Sequence, residues 1–157
     1  MSVDIHFLNG NGASRLPDGS RRLKIVVFPL TWILAHVSRT VEIARILRDR
    51  GHEIVFAGAD IDHPKSRLRF AKQHGFRTVK VKEPDWPWAW ERFEKRGALV
   101  ALHDLIRHQE WAPLDEVMED IVRVTREEQP DLILGDASMG VGPAGHITGV
   151  PAAGVFN

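Results

Sequence analysis

The sequence contains no cysteine, which excludes disulfides, thiolate metal sites and a cysteine nucleophile. It carries no net charge either, because 21 Lys and Arg balance 21 Asp and Glu. Without a basic excess, nucleic acid is not an expected partner. No internal repeat and no low-complexity linker interrupts the chain. No apolar run approaches the roughly 20 residues that a transmembrane helix needs. Ile25 to Val37, behind Arg21-Arg22-Leu23-Lys24, superficially imitates a signal peptide. Pro29, Thr31 and His36 break that run, which reads instead as a core strand and a loop. These absences fit a cytoplasmic protein. The 157 residues, 43% hydrophobic and 27% charged, suffice for one globular domain with a sizeable core.

The order of elements follows from periodicity and punctuation. Lys24-Ile-Val-Val-Phe28 is a short β-branched run, the signature of a buried strand. Val37, Val41, Ala44 and Leu47 then recur at helical spacing, and Gly51 stands where a helix terminator needs positive φ. Glu53 to Ala57 reads as the second strand. Asp62-His63-Pro64 predicts a helix start, with a basic surface helix over Lys65 to His74 and Gly75 closing it. Phe76 to Val81 alternates as a third strand. Helical periodicity covers 98–110 and 114–128, interrupted at Pro113. Asp131 to Gly135 is the fourth strand, Met139 to Thr148 a helix rich in small residues, and Ala152 to Phe156 the fifth strand. Residues 1–22, where Val3, Ile5 and Phe7 alternate before turn signals, read as an appendage. Residues 23–157 form one domain of alternating strands and helices. The expected fold is α/β, a doubly wound, Rossmann-like parallel sheet of order 3-2-1-4-5.

In such sheets ligands bind beyond the carboxyl ends of the strands, where the strand order reverses. His36 is placed on the loop after the first strand and Asp136 immediately after the fourth, the two strands flanking that reversal. A carboxylate on one ring nitrogen fixes a histidine's tautomer and makes the other nitrogen a base. Such a dyad could deprotonate a hydroxyl nucleophile. With eight histidines and 21 acids in the chain, chance proximity is the alternative.

The stretch Ile25-Val-Val-Phe-Pro … Ala35-His36-Val … Arg50-Gly-His52-Glu-Ile-Val-Phe-Ala57, with Pro130-Asp-Leu-Ile-Leu-Gly-Asp136 and Gly149-Val-Pro151, resembles the opening half of GT-B glycosyltransferases. The similar group is that of the UDP-glycosyltransferases and macrolide glycosyltransferases. Ala35 and Arg39 stand where that pattern has Gly and Pro. The resemblance implies that His36 is the general base on an acceptor hydroxyl, that Asp136 orients it, and that sugar transfer is inverting. It places His52 at the opposite end of the sheet, in a structural role. Trp86, Trp88 and Trp90 fall in a region that borders the acceptor, and Trp32 and Met139 join them as expected acceptor-lining residues for a small apolar or aromatic molecule. No cofactor and no metal are expected on this chain. The UDP- or dTDP-sugar donor is expected on a C-terminal donor-binding domain or subunit, and the chain by itself is expected to be inactive.

Two other functions stay open on the residues alone. Gly140-Val-Gly142-Pro-Ala-Gly145 matches the dinucleotide fingerprint literally, so a small nucleotide-binding protein is one. The motif normally follows the first strand of its unit, however, and close packing of the helix on the sheet is the better explanation of the small residues here. A non-catalytic α/β binding module is the other.

Overall fold

A computed structural model describes residues 19–84, 94, 95, 97, 100, 114–138 and 140–155. The expected strand at 3–7, the helix over 98–110, and Trp86, Trp88, Trp90 and Met139 lie outside these. The described elements, in chain order, are β1 (Lys24–Pro29), α1 (Leu34–Asp49), β2 (Glu53–Gly58), α2 (Leu68–Gln73), β3 (Arg77–Lys80), α3 (Leu114–Glu128), β4 (Leu132–Asp136), α4 (Val141–Thr148) and β5 (Ala152–Val155). The five strands form one parallel sheet of order β3-β2-β1-β4-β5, the doubly wound, Rossmann-like arrangement expected from the sequence.

Both faces of the central strands are covered, which is why they read as continuous apolar runs rather than alternating ones. Ile25 and Val27 of β1 and Phe56 of β2 pack with Val37, Val41 and Ala44 of α1 and Leu68 and Ala71 of α2. Val26 and Phe28, with Val55, Ala57 and Ile133, point the other way onto Val117, Ile121 and Val124 of α3 and onto Val141 and Ala144 of α4. Each buried Val, Leu, Ile or Phe among them contributes roughly 1.5–3 kcal/mol by leaving water. The sheet therefore sits between α1 and α2 on one face and α3 and α4 on the other.

Local chemistry sets the boundaries. Gly51 at φ 93° and Gly75 at φ 80° end α1 and α2 as their spacing predicts. The start of α2 differs from the sequence expectation: it begins at Leu68, not near Pro64. The preceding residues are tied to the rest of the molecule instead. The Arg67 amide donates to the Thr31 carbonyl at 2.8 Å, and Ser66 is buried against Ala59. Tertiary bonds have taken over the groups that a longer helix would have used. The fourth strand is also displaced by one residue, ending on Asp136 itself. Asp131 is left to accept the Lys24 amide at 2.9 Å, pinning the amino end of β1.

The glycine-rich stretch of α4 is explained by packing. A Cβ on Gly145 would lie 2.8 Å from the Ala152 Cβ and 2.9 Å from the Val150 carbonyl oxygen, whereas one on Gly142 would meet nothing within 4 Å. Gly145→Ala is therefore expected to cost about 1–3 kcal/mol through overpacking. Gly142→Ala is expected to be neutral or to stabilise by up to about 1 kcal/mol through helix propensity. Urea unfolding of the two variants measures the contrast, and equal effects would remove close α4–β5 packing as the reason for the glycines.

Candidate functional site

The site grows from the connection between β1 and α1. Pro29 pairs with Asp136 in the sheet, and the Leu30 amide then donates to the Asp136 carbonyl at 2.9 Å, carrying the ladder one residue further. Thr31 is fully buried. Its amide and hydroxyl donate to the two oxygens of Glu83, at 3.0 and 2.8 Å. The Trp32 indole donates to the Pro84 carbonyl at 2.9 Å, and its ring meets His63 edge-on. Ile33, in extended conformation, caps α1 with no side-chain bond, and its carbonyl accepts the His36 amide. Each residue from Leu30 to Ile33 is thus held by a named partner. His36 consequently lies in the first turn of α1 rather than on a free loop, a correction to the sequence reading. A helical turn aims its side chain more firmly than a loop would.

That turn delivers His36 to Asp136. Its Nδ1 lies 2.8 Å from the Asp136 Oδ1, and the Asp136 side chain is wholly buried while that of His36 is 20% exposed. Donation from His36 to this carboxylate places the proton on Nδ1 and the lone pair on Nε2, whereas acceptance from Arg39 at the same nitrogen would place the proton on Nε2. The residue after Asp136 is Ala137 at φ 55°, a left-handed conformation that turns the chain away from the strand at a cost of about 1–2 kcal/mol. Such local strain often marks functional sites.

Sequence reasoning missed the third member of this cluster. Arg39 donates from Nε to Asp136 Oδ2 at 2.8 Å and from Nη2 to Oδ1 at 2.6 Å, with Nη2 3.2 Å from the His36 Nδ1. This two-point fork supplies the countercharge that a buried carboxylate requires. The bond to Asp136 in turn raises the Arg39 guanidinium above its ordinary value. The available signal was spacing: residues i and i+3 on a helix are neighbours, so Arg39 shares the face of His36. His52 sits at the other end of the sheet, where its Nδ1 accepts the Leu23 amide at 3.2 Å. Its placement agrees with the structural role expected for it.

Beside the dyad, on the face covered by α3, lies a cavity of about 180 Å³. Phe28, Ala57, Val81, Val117, Met118 and Ile121 give it apolar walls, and Ala137 and Ser138 bring the chain after Asp136 to its rim. His36, Asp136 and Trp32 are not among its described lining residues, and the cavity approaches the dyad through Pro29, the sheet partner of Asp136, and Ala137, the residue after it. Glu83 is the acidic residue of the lining, and it too was missed in the sequence. It follows β3 at the carboxyl edge, which is the position that would have flagged it. Besides the Thr31 bonds it accepts the Ala59 amide at 3.0 Å. Burial pushes its carboxyl up to about 7, against the opposing effect of these three donors. Among the described residues, no group of His, Cys, Asp or Glu could hold a metal ion, and no helix is long and apolar enough to cross a membrane.

No family model matches the sequence, and no curated protein is similar to it. Solved structures do resemble it. Spinosyn rhamnosyltransferase SpnG matches with a TM-score of 0.58 at 18% identity, over 83% of this chain and 34% of that one. The glycosyltransferase VinC, in complex with dTDP, matches at 0.58 and 20% identity, over 82% of this chain and 33% of that one. The calicheamicin glycosyltransferase CalG4 matches at 0.56 and 17%, over 85% and 32%. Likeness at these identities shows the fold, and the chain spans about a third of the length of each. The glycosyltransferase-like fold expected from the sequence is the one the chain adopts.

The raised Glu83 carboxyl makes a pH prediction. Its proton is held more tightly in the folded state, so its stabilising contribution is fully present below about 4.5, the ordinary value, and is lost as pH rises through about 7. The stability of the wild type relative to Glu83→Gln should fall by up to about 3 kcal/mol from pH 4.5 to 8. Chemical denaturation across that range measures it, and a flat difference would contradict the assignment.

Proposed function

We propose that the chain is the acceptor-binding half of a glycosyltransferase that uses a nucleotide sugar, with His36 as general base and Asp136 as its orienting partner. The observation that carries this reading is the 2.8 Å contact between His36 Nδ1 and the buried Asp136 carboxylate, at the strand-order reversal and at the rim of an apolar cavity. A small apolar acceptor occupies the cavity and presents a hydroxyl to His36 Nε2. The imidazole takes the hydroxyl proton as the oxygen attacks the anomeric carbon from the side opposite the departing nucleotide, so transfer inverts that centre. Asp136 balances the imidazolium formed on the way. In this reading the donor is held by a second half, supplied as a domain or a subunit. UDP and dTDP are the expected nucleotides. Structures of similar fold support dTDP, since VinC and SpnG were each solved with thymidine diphosphate. Trp86, Trp88, Trp90 and Met139 are proposed to complete the acceptor wall, and Trp32 to hold its edge through Pro84.

One observation favours a second reading, a binding module without base chemistry. Arg39 occupies both oxygens of Asp136, including the one that faces His36. In that case Asp136 serves α1 packing, and the histidine is incidental.

Single-turnover rates with a donor half supplied separate the two readings. His36→Ala should lower the rate by a factor on the order of 10²–10⁴, the usual share of general-base catalysis. Asp136→Asn should reduce it less if His36 still reaches the hydroxyl, and His52→Ala should leave it nearly unchanged. Circular dichroism establishes that each variant is folded. A folded His36→Ala protein turning over at the wild-type rate would remove His36 from the mechanism, whereas a wild type that shows no turnover with the donor half supplied would favour the binding module.

A further inference from the structure

The cavity contains a charge that the sugar-transfer chemistry does not use. Glu83 stands in the wall next to Lys82, and the rest of the described lining is mainly aliphatic and aromatic carbon. Its partners are all neutral: the Thr31 amide on Oε2, and the Thr31 hydroxyl with the Ala59 amide on Oε1. Among the described residues no Lys, Arg or His makes an ion pair with it. The charged groups nearby satisfy one another. Lys82 pairs with Glu116 while its amide donates to Asp120, Lys80 pairs with Asp60, and His63 packs on Trp32. A carboxylate offers about four acceptor positions, and three donors leave one on Oε2. A desolvated carboxylate without a countercharge is costly, and burial accordingly pushes this one up to about 7. Any cation brought to it from outside would be bound in a site where water screens little.

We propose that this cavity selects acceptors carrying a cationic amine on an apolar body, the ammonium donating to Glu83 while a ring-sized group fills the space between β1, β2 and α3. The volume of about 180 Å³ suits a single ring, since cavities of about 150 Å³ accommodate benzene. The proposal depends on the cavity being the acceptor pocket and narrows the acceptor's class from apolar to apolar and basic. The ligand's apolar part supplies affinity, and the ammonium supplies discrimination against neutral analogues of the same shape. Binding would also draw Glu83 to its ionised form, releasing a proton near neutrality.

The test compares benzylamine with benzyl alcohol, matched in size, by NMR titration of the 157-residue chain. Benzylammonium is expected to bind about tenfold more tightly than benzyl alcohol at pH 8, and its affinity to fall about tenfold between pH 8 and pH 6 as Glu83 takes up a proton. Benzyl alcohol should change little over that range, so the wild type alone decides the point even if substitutions at Glu83 disturb the fold. In a folded Glu83→Gln protein both the preference and its pH dependence should vanish. Equal binding of the two probes would overturn the amine selectivity and leave the acceptor pocket standing. Binding of neither would overturn the pocket together with the selectivity. A preference that survives Glu83→Gln would move the cation to a different group and overturn the role given to Glu83.

Discussion

A carboxylate with no exposed surface, at the end of a central strand, must be neutralised where it stands. Asp136 is in that position, and the first turn of α1 is built to meet it. Arg39 provides the charge, and His36 takes one of the same oxygens. The requirement fixes more than two side chains. For both residues to reach Asp136, α1 has to start at a set height above the sheet, which is the task of the connection from Leu30 to Ile33. That connection is held by backbone atoms of β4 and of Arg67, just before α2, and by Glu83, so strands and loops far apart in sequence agree on one position for His36. Preorganisation of this kind costs nothing at the moment of reaction, which is why catalytic groups gain from it.

The sheet divides the labour. The face covered by α1 presents His36, and the face covered by α3 and α4 provides the cavity. The two meet at the carboxyl edge, where Pro29, Ala137 and Ser138 line the rim next to Asp136. In the proposed function, an acceptor is bound by apolar contact on one side and deprotonated at the other. Arg39 sharpens this arrangement and complicates it. By neutralising Asp136 it makes the burial tolerable, yet it also shares the oxygen on which His36 relies. Whether the cluster works as a base or as a structural knot turns on where the histidine proton sits.

Much of this was legible in the sequence, for definite reasons. The succession of strands and helices followed from apolar runs and helical periods, and the strand order from the general rules of doubly wound sheets rather than from particular residues. His36 and Asp136 were brought together by position, since strand ends at a reversal of order converge on one crevice, and the family resemblance singled them out from the other histidines and acids. The boundaries that failed did so where tertiary bonds outcompeted local propensity. Arg67 spends its amide on Thr31, which shortens α2, and Asp131 caps β1, which shifts β4. Arg39 and Glu83 escaped because each belongs to a large class of surface charges. Their importance lies in partners 97 and 52 positions away, invisible to any local pattern.

The proton on His36 decides the central claim most directly. Nitrogen-15 NMR of the imidazole, recorded at alkaline pH on the neutral ring, distinguishes the two tautomers. If Asp136 orients the base, the proton resides on Nδ1 and Nε2 shows the shift of an unprotonated nitrogen, and Asp136→Asn disturbs that assignment. If the proton is found on Nε2, with Nδ1 accepting from Arg39 at the observed 3.2 Å, His36 cannot accept a hydroxyl proton in this geometry. That result would contradict the account.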